Sequence, residues 1–110
     1  MRALFIVAIL LVCVFTAQAQ QPQHVSGNIT QLRTGWDADS FGVMLDAPQA
    51  NPAKCPTNNL GYVSTSEQRG YHTYYAAALA AYVAGKRVTV VVHATECIGP
   101  FPKIIGINMP

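Results

Sequence analysis

The chain carries little charge: seven Lys and Arg and five Asp and Glu among 110 residues, a formal net charge of +2. A polyanion binder ordinarily shows a clear basic excess over a groove or stripe, so nucleic acid is excluded as a partner. Cysteine is also scarce, and the three present, Cys13, Cys55 and Cys97, stand far apart, which is poor ground for a structural zinc site. There is a single tryptophan, Trp36. At this length a second domain has no room. With 51% hydrophobic residues, disordered and collagen-like classes fall away. Only one long apolar run exists, and it lies at the very start, which excludes a multi-span membrane protein.

That start reads as an export signal. Met1 and Arg2 supply a short positive end, Ala3 to Phe15 is an unbroken apolar run, and Ala17-Gln18-Ala19 places small residues where a signal peptidase reads them, so residues 1–19 are expected to be cleaved. A membrane anchor needs about 20 apolar residues, and this run is shorter. The neighbours of Cys13 do not form a lipid-attachment box. The expected location is therefore secreted or periplasmic, with no membrane association once the signal is removed.

Cleavage removes Cys13 and leaves an even pair, Cys55 and Cys97, in a compartment that oxidises thiols, so one disulfide is expected. The competing reading is a metal held by His93, Cys97 and Cys55. No second Cys or His stands close to Cys55, and no metal or other cofactor is expected.

Along the mature chain, residues 20–23 (Gln-Gln-Pro-Gln) read as a disordered tail, and a single domain is expected over 24–110. Val25, Ile29 and Leu32 break strict alternation around Gly27, which suggests a coiled first strand with a bulge or sharp bend. Thr34 to Ser40 reads as a hairpin connection. Phe41, Val43 and Leu45 then alternate with Gly42, Met44 and Asp46 in a second strand with one apolar face. Pro48, Pro52 and Pro56, with Asn51, Asn58 and Asn59, predict a long loop over 48–59 that Cys55 pins. Leu60 to Thr65 is a short third strand. The alanine-rich stretch from Tyr71 to Ala84 is the one helix, with Gly85 as a left-handed C-cap and a sheet-facing stripe of Tyr71, Tyr75, Ala78, Leu79 and Tyr82. Val88 to Ala94 is β-branched and reads as a central strand covered on both faces. Thr95 to Pro102 is expected to be a loop, and Lys103 to Met109 the last strand.

The resulting order, β-β-β-α-β-β, is that of a five-stranded OB-fold barrel, which closes its sheet and so removes edges. An α+β sandwich would use the same elements. The fold class expected is mainly β with one helix, OB-fold-like, with one disulfide.

Several local patterns point to a relationship. Gly27-x-Ile29-Thr30-x-Leu32, Phe41-x-Val43, Asn51-Pro52-x-x-Cys55, Ala76-x-x-Leu79-x-Ala81, Ala84-Gly85-Lys86-x-Val88 and a cysteine just beyond that strand together resemble small exported bacterial proteins related to the B subunit of subtilase cytotoxin. The resemblance runs over most of residues 25–108. It implies an OB-fold barrel with a disulfide and, for the toxin members, a ring of five subunits that binds sialylated cell-surface glycans and delivers a separate catalytic subunit. Those members carry a Tyr-Tyr-Ser element entering the first strand, whereas this chain has His24-Val25-Ser26, so their glycan contacts do not map onto it.

An enzyme needs a nucleophile with a base, paired acids, or metal ligands in a concave site. The sequence shows none of these clusters: its three histidines fall on the first strand, the helix and the fourth strand. Asp37 and Asp39 beside Ser40 could coordinate calcium, but no ligand series continues from them, and solvated turn acids are the plainer reading. Trp36 on the hairpin connection offers a flat face for a sugar ring or a partner pocket, or else folds back over the barrel end. Tyr74 lies off the helix stripe and is expected to point away from the sheet, toward a ligand or a neighbouring subunit. Arg33 and Arg69 are cations that could pair with an acidic sugar, although an isolated exposed arginine is ordinarily just solvated. The expectation is thus a non-enzymatic binding module with Trp36, Arg33 and Tyr74 as candidate ligand residues. It recognises cell-surface glycans as a toxin B-subunit-like homopentamer or, in the alternative, acts as a stand-alone protein-binding or inhibitor module in the envelope.

Overall fold

A computed structural model describes residues 21–35, 38–57, 59 and 61–110. Residues 1–19, read as the signal, and Trp36 and Asp37 lie outside the described residues.

Five strands and one helix follow in the order β1 (Gln23–Thr34), β2 (Ser40–Leu45), β3 (Gly61–Thr65), α1 (Tyr71–Ala84), β4 (Arg87–Ile98) and β5 (Phe101–Asn108). The strands close into a barrel in the ring order β1-β2-β3-β5-β4. Every pairing is antiparallel except β3 with β5, which run parallel. With the helix between the third and fourth strands, this is the OB-like barrel rather than a sandwich.

β1 serves two neighbours. Its first half, Gln23 to Asn28, pairs with β4, and its second half, Ile29 to Thr34, pairs with β2, with a bulge between Ile29 and Gln31. The bulge explains the broken alternation: Val25, Gly27 and Ile29 face the core, and the inward register resumes at half-buried Leu32. Gly27 is required by a close approach, since a Cβ there would lie 2.6 Å from the Asp46 carboxylate, which accepts from the Asn28 backbone N–H at 2.8 Å. Gln23 pairs with Val92, so the strand starts inside the segment read as a tail.

The core is built from alternate residues of the strands: Phe41, Val43 and Leu45 from β2, Tyr62 from β3, Val88, Val90 and Val92 from β4, and Ile104 from β5. Helix α1 closes over it, packing chiefly against β1 and β5. Phe41 meets the rings of Tyr71 and Tyr75 at centroid distances of 5.7 and 5.5 Å. Gly85 adopts the left-handed conformation at φ 64° and ends the helix, with the Lys86 N–H donating to the Ala81 carbonyl at 2.9 Å.

Three sequence expectations need correction here. The helix buries Tyr71, Ala78 and Ala81, while Leu79 and Tyr82, assigned to the sheet-facing stripe, are 39% and 44% exposed. Small Ala81 is preferred at the close contact because it lets the helix backbone approach the strands. Residues 95–102 are not a loop: β4 runs on to Ile98 and β5 starts at Phe101, with Gly99 and Pro100 as the turn. Pro102 pairs with Cys97 at the end of the ladder, directly beside the irregular stretch in which β4 bulges between Val92 and Cys97. Finally, β4 is not covered on both faces: Val88, Val90, Val92 and Ala94 are buried, but Thr89, Val91 and His93 are only half-buried.

Candidate functional site

A groove of about 530 Å³ lies on the outer face of β2 and β3. Because Phe41, Val43 and Tyr62 point into the core, the alternate positions Gly42, Met44, Gly61 and Val63 point outward. Gly42 pairs with Val63 across the β2–β3 ladder, and Met44 pairs with Gly61. Glycines at two of these four positions keep the floor flat. One wall is Arg33, Gly35 and Ala38, from the end of β1 and the β1–β2 connection; the other is Ile98, Gly99 and Phe101, from the tip of the β4–β5 hairpin. The Phe101 ring comes within 3.6 Å of where a Gly61 Cβ would stand, so any side chain at 61 would meet that wall.

The disulfide holds the second wall in place. Cys55 and Cys97 are bonded, with Cα atoms 5.8 Å apart, and they tie the long loop between β2 and β3 to the β4–β5 hairpin next to Ile98. Cys55 is buried and its backbone is gripped by one side chain: Asn51 accepts from the Cys55 N–H and donates to the Cys55 carbonyl, both at 2.8 Å. The same loop is anchored to the core by Tyr62, whose hydroxyl accepts from the Ala50 N–H at 2.8 Å. Burial pushes the Tyr62 phenol above its usual range, and the Ala50 N–H partly offsets this.

The bulge at the base of the hairpin has its own polar framework. The His93 Nδ1 atom accepts from the backbone N–H groups of Thr95 (3.1 Å) and Glu96 (3.0 Å). Lys103 donates to Glu96 at 2.8 Å, and His93 Nε2 stands 3.4 Å from the same carboxylate oxygen. The hydrogen bond and charge of Lys103, helped by His93, hold the Glu96 carboxyl below its ordinary value. His93 and both cysteines are thus engaged with other partners, against the alternative in which they ligate a metal. Among the described residues, no group of three or more His, Cys, Asp or Glu side chains is placed to hold a metal ion. Asp39 lies in a separate recess with Glu67 and Lys103, and Asp37, its suggested calcium partner, is outside the described residues.

Of the residues singled out for ligand contact, Arg33 lines the groove. Trp36 is outside the described residues; in sequence it lies between Gly35 and Ala38, which do line the groove. Tyr74 is elsewhere and faces the opposite way from the expectation: it is half-buried against the core, and its hydroxyl donates to the Ile105 carbonyl at 2.8 Å. The sequence reading did not single out Met44, Val63, Ile98 or Phe101. A signal for the first two was present, since each is an apolar residue on the outward phase of a strand whose other phase is already the core. Ile98 and Phe101 had no local signal, because they were assigned to a loop.

No protein-family model matches the chain, and no curated protein matches it either.

Proposed function

We propose that the protein is an exported, non-enzymatic binding module that takes its ligand in the β2–β3 groove. One observation carries this reading: Met44, Val63, Ile98 and Phe101 form an apolar trough over a glycine floor. It lies between the β1–β2 connection and the β4–β5 turn. OB barrels take oligosaccharides and oligonucleotides on this face, between these two loops. The small formal charge argues against the nucleic-acid use. Export rests on the N-terminal signal pattern and is supported by the disulfide. Among the described residues, no helix is long and apolar enough to cross a membrane.

The partner is a protein of the envelope or of another cell's surface, acting on a stand-alone module. The glycan reading, with a ring of five subunits as in the toxin B subunits, is supported by Arg33 at the groove, a cation suited to an acidic sugar. Light scattering on the oxidised mature protein, followed by a glycan array and the Val63→Arg variant on the same array, separates the two. A monomer with no array signal fits the stand-alone module. A pentamer whose sialoglycan signal disappears in Val63→Arg establishes the toxin-like reading instead. Binding of any ligand that Val63→Arg leaves untouched would remove the groove from the function.

A further inference from the structure

Resting on the groove as the binding site, we infer that its ligand is an apolar peptide segment of a partner protein that carries one acidic group, seated against Arg33. The lining sets the chemistry. Met44, Val63, Ile98 and Phe101 present carbon to the ligand. The backbone N–H and C=O groups of Gly42, Met44, Gly61 and Val63 lie in the β2–β3 ladder and have little left to offer. The nearby amide, Asn59, is also occupied: its Oδ1 accepts from the Gly61 N–H at 3.0 Å and from the Thr57 hydroxyl at 3.3 Å.

The lining also holds the hydroxyls of Thr34, Ser40 and Thr65, but a sugar would bring a hydroxyl on nearly every carbon and lose the hydration of more of them than these three could replace. Each unpaired polar group buried this way opposes binding. A peptide carrying aliphatic or aromatic side chains has no such loss, because carbon replaces water along the trough and its own backbone can remain at the open side.

Arg33 sets the sign. Among the described residues it is the one charged side chain in the lining and no carboxylate pairs with it; it is exposed at the end of β1, and the ion pairs found among those residues are His93–Glu96 and Lys103–Glu96. An apolar trough with one guanidinium at its wall selects an apolar segment with one carboxylate, since a fork-like donor matches that group and an unpaired or like charge opposes docking.

The test is selection from a phage-displayed library of random dodecapeptides on the oxidised protein, with the best sequence remade as a fluorescent peptide and titrated by anisotropy. A glycan array is run in parallel. The expected result is enrichment of peptides with several aliphatic or aromatic residues and one Asp or Glu. Binding of the synthetic peptide should fall about tenfold or more in Arg33→Glu, and recover in that variant when the peptide's acid is replaced by Lys. It should also be lost in Val63→Arg, with the circular dichroism of both variants unchanged. Peptides enriched with no acidic preference, or no peptide enriched over the Val63→Arg control, would overturn the inference. A glycan signal lost in Val63→Arg would overturn the peptide ligand while leaving the groove as the site. Peptide binding indifferent to both substitutions would overturn the groove itself.

Discussion

Gln68 reaches across the barrel seam to Ile104: its Nε2 donates to the Ile104 backbone carbonyl at 2.7 Å, while its Oε1 accepts from the Thr65 N–H at 3.3 Å and from the Ser64 hydroxyl. β3 and β5 share a single registered pair, Val63 with Lys103, so this one amide supplies part of the closure that the backbone ladder does not. Ser64 is fully buried.

Replacing Gln68 with Ala is expected to destabilise the domain by about 2–3 kcal/mol, because it leaves a buried hydroxyl and a carbonyl without partners. Gln68→Glu keeps the shape but cannot donate to Ile104 when ionised, and should fall close to Gln68→Ala at neutral pH. Chemical denaturation of the three proteins checks this; a Glu variant as stable as the parent would remove Gln68 from the seam.

The disulfide bridges a sequence separation of 42 residues. On the loop-entropy model its loss from the double variant Cys55→Ser, Cys97→Ser is worth about 4 kcal/mol. For a domain of this size that corresponds to a fall of roughly 15–30 °C in Tm. Scanning calorimetry of the parent with and without reductant gives the same comparison; an unchanged transition would show that Asn51 and Tyr62 hold the loop unaided.

Lys54 sits at φ 54°, in the left-handed region, immediately before Cys55 and with its side chain exposed. An L side chain there costs on the order of 1 kcal/mol that glycine avoids. Lys54→Gly should therefore raise stability by about 0.5–1 kcal/mol despite the added chain entropy of glycine, whereas Lys54→Val should lower it. Paired urea titrations decide the sign.

Glu96 gives a pH signature. Its carboxyl is held below the ordinary value of 4.5 by Lys103, so the pair contributes stability that is present above that value and is lost as pH falls through the lowered one. The Tm of the parent should decline on acidification below about pH 5, more steeply than that of Glu96→Gln, and the two curves should converge in acid. Salt should narrow the gap, since the carboxylate is exposed. Parallel curves across that range would show that the pair contributes nothing.

Tyr74 offers a check on the helix seat. Tyr74→Phe removes the donation to Ile105 and should cost about 1 kcal/mol with the fold intact. Gly70→Ala should cost more, because the added methyl would overlap the Tyr74 ring and displace it. Equal stability of Gly70→Ala and the parent would mean that the ring has room to move.

Much of the fold was legible in the order of residues. The bounds of α1, its glycine stop, the alternating second strand and the pairing of Cys55 with Cys97 follow from signals carried within a few residues, or from counting thiols in an oxidising compartment. Helix periodicity was a weaker guide. In a run as rich in alanine as Tyr71–Ala84 nearly every face is apolar, so the pattern could not tell that Leu79 and Tyr82 turn away from the strands, nor that Tyr74 turns inward to Ile105. The prolines misled for a related reason: Pro100 keeps to its preference in the turn, but Pro102 lies in a strand, paired with Cys97 beside a bulge, against its intrinsic preference.

By itself, then, the sequence determined the element order, the core phase of β2 and the covalent tie between Cys55 and Cys97, because local sterics and hydrophobic alternation act over a handful of residues. Only the tertiary structure decided that β3 runs beside β5, that Gln68 spans their seam, and that Met44 and Val63 meet Ile98 and Phe101 across a glycine floor with Arg33 at its wall. Those meetings join residues far apart in the chain, and they are set by how the barrel closes rather than by any preference of the residues themselves.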